Sequence, residues 1–138
     1  MMGNEYKKSY RGFVVFLISF LLSMFGGAIV TSMYIPDHTS RIVINLVCIG
    51  MALLTFIIYK TEKIYWYNGI EFEDAEKAGS ERRKAYAKSH MKLFGIYAAC
   101  MLVFSICMAL LSVTQWVDFA VGAIGICVVA ICTVKIKL

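Results

Sequence analysis

Four stretches of this sequence contain no Asp, Glu, Lys or Arg: Gly12–Ile35, Ile42–Tyr59, Leu93–Val117 and Phe119–Val134. Each approaches or exceeds the roughly 17–25 residues with which an α-helix crosses the hydrocarbon core of a bilayer. In lipid every backbone N–H and C=O needs a partner inside the protein, which leaves helices or a closed barrel. Continuous apolar runs without in–out alternation select helices. Hydrophobic residues fill 60% of the 138 positions, against about 45–50% in soluble domains. The expectation is an all-α fold: an integral membrane four-helix bundle, one membrane domain with spans at about 12–35, 42–59, 93–115 and 117–135. Lys7, Lys8 and Arg11 precede the first run as in a secretory signal. That run, however, is far longer than the roughly 7–15 apolar residues of a signal peptide and ends without a small-x-small cleavage site, so it reads as a permanent span.

The polar segment 60–92 separates the two pairs of runs and carries 8 of the 14 basic and 6 of the 9 acidic residues. With an even number of spans, both termini and this segment share one side. That side then holds 13 of the 14 Lys and Arg, with Arg41 alone opposite. The positive-inside rule makes it cytoplasmic and the protein a multi-pass plasma-membrane protein. The net charge of +5 then reflects topology and contact with anionic lipid headgroups, rather than nucleic acid. Acidic residues Glu71, Glu73, Asp74 and Glu76 precede the bases, which suits the dipole of a helix over about Glu71–Ala78. Gly79 ends it, Ser80 caps the next, and that helix runs from about Glu81 into the third span. This amphipathic cytosolic element presents Arg82, Arg83, Lys84 and Lys88 as a patch for lipid or a protein partner. Tyr59, Tyr65, Trp66 and Tyr67 suggest an interfacial aromatic belt. His90 stands at the edge of the third span, where an interfacial polar role competes with that of a pH sensor.

Within the spans, Ser19, Ser23, Gly27 and Thr31 lie four apart on one helical face. Small residues so spaced allow close helix approach, either within the bundle or in an oligomer. Ala98, Ser105, Ala109 and Ser112 repeat the device in the third span, and Gly122, Ala123 and Gly125 in the fourth. Asn45 is expected to bond to another helix. Pro36 ends the first helix, and Thr39 or Ser40 caps the second. Asp37 and His38 read as solvated turn residues rather than metal ligands, and Asp118 as a boundary residue. The five cysteines read as packing residues with free thiols. No catalytic fingerprint is present, so no cofactor and no enzymatic activity are expected. An intramembrane enzyme built on Asp37, His38 and Asp118 is the weakest alternative.

At Tyr65-Trp66-Tyr67-Asn68-Gly69 and Glu81-Arg82-Arg83-Lys84-Ala85-Tyr86-Ala87 the layout resembles small uncharacterised four-span membrane proteins of Gram-positive bacteria. In these, an aromatic-Asn turn and a charged cytosolic stretch link helical hairpins. The resemblance covers about 30 residues, implies a bacterial plasma-membrane location and transfers no functional residue. The functional expectation is an accessory protein that binds a larger membrane partner, a membrane-active peptide or itself. The alternative is a small oligomeric channel or carrier lined by Asn45, Thr55, Ser105, Ser112 and Gln115.

Overall fold

The computed structural model describes residues 6–67 and 69–138. It is all-helical, with four helices long and apolar enough to cross a membrane: α1 (Arg11–Tyr34), α2 (Thr39–Thr61), α3 (Phe72–Leu110) and α4 (Gln115–Val134). Tyr6 and Ser9 bond to Glu62 and Tyr65, while Ile136 packs on the same cluster, so the leader, the α2–α3 connection and the C-terminal segment gather at one end. This is called the terminal end below; the α1–α2 and α3–α4 turns form the opposite, turn end.

The first turn follows from Pro36, which cannot continue a helix. The chain makes one short 3-10 turn, Pro36–His38, and re-enters a helix at Thr39. Neither Thr39 nor Ser40 caps it with a side chain. Instead the Ser40 N–H donates to Oε1 of Gln115, 2.7 Å away on the first turn of α4. A cap supplied from 75 residues downstream leaves no local sequence signal. At the end of α2, Glu62 takes the left-handed conformation (φ 57), which breaks the helix and turns the chain back.

Helix α2 is the centre of the bundle and packs against the other three helices. Of its buried residues, Arg41, Ile44, Asn45, Cys48, Thr55 and Ile58 fall on one face, spaced by 3, 4 and 7 as helix geometry requires, while Gly50 faces Phe20 of α1. Phe94, Ala98, Met101 and Ser105 form the matching face of α3. Two of the four small residues expected there, Ala98 and Ser105, are buried; Ala109 is half-buried, and Ser112 lies beyond the helix end at φ 56. The α3 helix thus stops at Leu110, short of residue 115.

Glycines set the closest approaches. A methyl group on Gly122 would overlap Ile44 of α2 and press on Met101, one on Gly125 would overlap the Tyr97 ring, and one on Gly50 would overlap the Phe20 ring of α1. The Tyr97 hydroxyl lies across α4 and donates to the Gly122 carbonyl at 2.7 Å. In α3 the expected break occurs at Gly79, whose φ of 76 and ψ of 163 interrupt an otherwise continuous helix. Ser80, expected to cap the second part, instead donates its hydroxyl to Glu62 at 2.9 Å.

Gly122→Ala should destabilise the bundle by about 1–3 kcal/mol, the usual cost of forcing a methyl into a filled site. Gly95→Ala, with open space around it, should be neutral or stabilising by up to about 1 kcal/mol. Thermal unfolding of both variants in the same detergent checks the contrast.

Candidate functional site

Polar side chains gather in two clusters, one at each end. At the turn end, Asp118 is fully buried and Arg41 is 6% exposed. Arg41 Nε and Nη2 both approach Oδ2 of Asp118 at 2.9 Å. Nη2 also donates to the Val113 carbonyl at 2.8 Å, and Nη1 donates to His38 Nδ1 at 3.0 Å. One guanidinium therefore binds α2, α4, the α3–α4 turn and the α1–α2 turn. Next to it, Asn45 Nδ2 donates to the Arg41 carbonyl at 2.9 Å and to Ser105 Oγ at 2.7 Å. Gln115 completes the cluster, with Nε2 donating to the Pro36 carbonyl at 3.1 Å.

This cluster accounts for most of the suspected polar lining. Asn45 and Ser105 meet each other; Gln115 closes the turns; Thr55 is buried nearly three turns along α2 and bonds to the Ala52 carbonyl; Ser112 is exposed in the α3–α4 turn. The five are not brought into one lining within a single copy. The Arg41–Asp118 pairing was not foreseen, although a faint signal existed: each is an isolated charge beside an apolar run, on the same side and of opposite sign.

At the terminal end the hub is Glu62. Its Oε2 accepts from Arg83 Nη2 and Nε at 3.0 and 3.2 Å, and its Oε1 accepts from Ser80 and meets Lys84 Nζ at 3.3 Å. Arg83 also donates to the Ala75 carbonyl at 3.2 Å and lies 3.9 Å over the Tyr6 ring. Burial alone would push the Glu62 carboxyl up, but the hydrogen bonds from Ser80, Arg83 and Lys84 and the Arg83 charge outweigh it and hold it below its ordinary 4.5. Burial likewise pushes the Tyr6 hydroxyl up to about 12 despite the Arg83 charge. Tyr65 exchanges hydrogen bonds with Ser9 at 2.9 and 3.0 Å, and Trp66 donates to the Ser9 carbonyl at 3.1 Å. Two of the four aromatic residues expected to form a belt, Tyr65 and Trp66, thus hold the leader in place.

Of the expected basic patch, Arg82, Lys84 and Lys88 are exposed, whereas Arg83 is buried and ion-paired. The small-residue face of α1 divides along its length. Gly27 and Thr31 are half-buried, and a methyl on Gly27 would lie 3.0 Å from Leu46 of α2. Ser19 and Ser23 are exposed and border an apolar groove of about 290 Å³ against α2. His90, expected at an interface, is buried between Tyr67 and Tyr86. Cys48 is buried, the other four cysteines are exposed, and all five are free. Among the described residues no group of three or more His, Cys, Asp or Glu is placed to hold a metal ion.

Removing one member of a buried pair strands the other charge, at a cost of about 3–5 kcal/mol. Arg41→Met should lose about that much in detergent unfolding, and Arg41→Met combined with Asp118→Leu should recover most of it. Since the carboxyl of Glu62 is depressed in the fold, its stabilisation is full above 4.5 and is lost as pH falls below that value. Glu62→Gln should flatten the acid limb of the stability–pH profile. No family model matches this chain, and neither the curated proteins nor the solved structures compared with it include a match.

Proposed function

We propose that this chain is a multi-pass protein of a bacterial plasma membrane, with both termini and segment 60–92 in the cytoplasm, and that it acts as an accessory protein binding a larger membrane partner through α1. The observation that carries this reading is the unequal burial of the four helices. No residue of α1 is buried along its 24 residues, whereas α2 and α3 supply buried residues to two hydrophobic cores. Helix α1 rests mainly on α2 and turns Leu22, Phe25 and Met33 outward, each more than 65% exposed.

A helix that adds so little to its own bundle is suited to pairing with a second protein in lipid. There, association depends on close backbone approach at small residues, because burial from water no longer drives it. Ser19 and Ser23 supply such positions on the open edge of α1, and Arg82 and Lys88 supply cytoplasmic charge for the same partner or for anionic headgroups. Arg41 with Asp118, and Asn45 with Ser105, are engaged across the bundle, which favours a structural use for these groups.

The test is purification from native membranes in mild detergent, reading particle mass and co-purifying proteins together. A stoichiometric larger partner is expected, and Ser19→Leu with Ser23→Leu should release it while leaving the thermal unfolding midpoint within a few degrees of the original. A homo-oligomer without other proteins would overturn the accessory reading and make solute flux in liposomes the next measurement.

A further inference from the structure

A second cavity, of about 680 Å³, opens at the terminal end between α2, α3 and the last turn of α4. This volume falls in the range of roughly 300–1,000 Å³ typical of small-molecule sites. Its floor is apolar, with Met51, Leu54, Phe94 and Ala130, and its polar groups include Tyr67, His90, Asp74 and Lys137.

His90 gives the cavity its chemistry. It is only 3% exposed, and its ring centroid lies 4.4 Å from those of both Tyr67 and Tyr86. Its Nδ1 is 3.1 Å from the Tyr86 carbonyl. A carbonyl oxygen only accepts, so Nδ1 carries the proton, and in the neutral ring Nε2 keeps its lone pair. Among the described residues, none donates to Nε2. The Tyr67 hydroxyl in the same wall is buried without a partner among them. Burial pushes His90 below its usual 6.5, so the ring is neutral at pH 7; Tyr67, Tyr86, Asp74 and Lys137 are the other titratable side chains of this cavity. A buried polar group that lacks a partner, as the Tyr67 hydroxyl does among the described residues, is costly, and a ligand that pairs with it recovers that cost. Asp74 and Lys137 are the charged side chains of the lining, one acid and one base, so its side chains favour neither an anion nor a cation.

We propose that this cavity binds a small, uncharged amphipathic molecule, whose apolar body fills the floor and whose single hydroxyl or N–H donates to Nε2 of His90. The site is separate from the α1 face, and its occupancy does not depend on a protein partner.

The full chain in detergent, titrated with 2-naphthol and with 2-methoxynaphthalene, tests this. The two probes share an aromatic body, and only the first has a donor. Saturable binding of 2-naphthol at one site is expected, with the methoxy analogue weaker by roughly three- to tenfold, the worth of one net hydrogen bond. His90→Phe should abolish that difference, and Ala130→Phe, which fills the floor, should abolish binding of both. In the unsubstituted protein the ¹⁵N resonance of His90 Nε2 should shift as 2-naphthol saturates, a readout that needs no variant. Equal, unsaturable uptake of both probes, unchanged by Ala130→Phe, would show partition into the micelle and overturn the proposal. So would saturable naphthol binding that leaves the His90 resonance in place.

Discussion

A carboxylate with no exposure has to carry its cation with it, and the structure is arranged around that requirement at Asp118. Arg41 brings the charge from α2, and two further guanidinium N–H groups donate to the Val113 carbonyl and His38. Because a guanidinium is planar and rigid, these contacts fix the relative height and rotation of α2 and α4. The consequences continue inward. With that register set, Ile44 faces Gly122, Asn45 reaches Ser105, and Gln115 reaches both Ser40 and Pro36. Both guanidinium contacts converge on Oδ2, and Oδ1 is buried without a partner among the described residues. The pair is thus a device for register more than a source of stability, since ion pairs out of water commonly repay little more than their desolvation.

The opposite end uses a second ion pair in a different way. Glu62 stands just past the end of α2, and Arg83 one turn beyond the Gly79 break in α3. Their contact folds the α2–α3 connection back on itself, and the Tyr6 ring beneath Arg83 draws the leader into the same packing. Around it Ile58, Ile64, Tyr65, Ala75, Tyr86 and Ala87 form a core that is separate from the one at Ile44, Cys48, Ala98 and Met101. Two locks at the two ends leave α2, α3 and α4 little freedom to slide. Helix α1 is held mostly by the leader and by Phe20 at Gly50, and so is the element most easily separated from the rest.

This distribution bears on function. Of the polar groups that suggested a pore or an outer catalytic site, Asn45, Ser105, Gln115, His38 and Asp118 join helices and turns to one another. Two features remain uncommitted: the exposed length of α1, and the cavity lined by His90 and Tyr67. The proposed roles, one toward a membrane partner and one toward a small neutral ligand, rest on these two regions and are physically independent of each other.

Much of the architecture was legible in the sequence. The lengths of the charge-free runs announced four helices, Pro36 announced the first turn, and Gly79 announced the break in α3, because each of these is a property of a few consecutive residues. Placing the 60–92 segment with both termini followed from an even number of helices, and the contacts of Tyr6 and Ile136 agree with it. What the sequence left open was the pairing of groups far apart in the chain. Arg41 and Asp118 are 77 residues apart, Glu62 and Arg83 are 21 apart, and the cap on α2 comes from Gln115. The tertiary structure also decided which of two plausible uses each ambiguous residue takes: Arg83 and Tyr65 hold the fold together where lipid contact was expected, and His90 lines a cavity. The reason is physical. Helix formation in an apolar run is settled by local backbone bonding, whereas the partner of a charged or aromatic side chain is settled by which helix faces it, and that depends on the packing of the whole bundle.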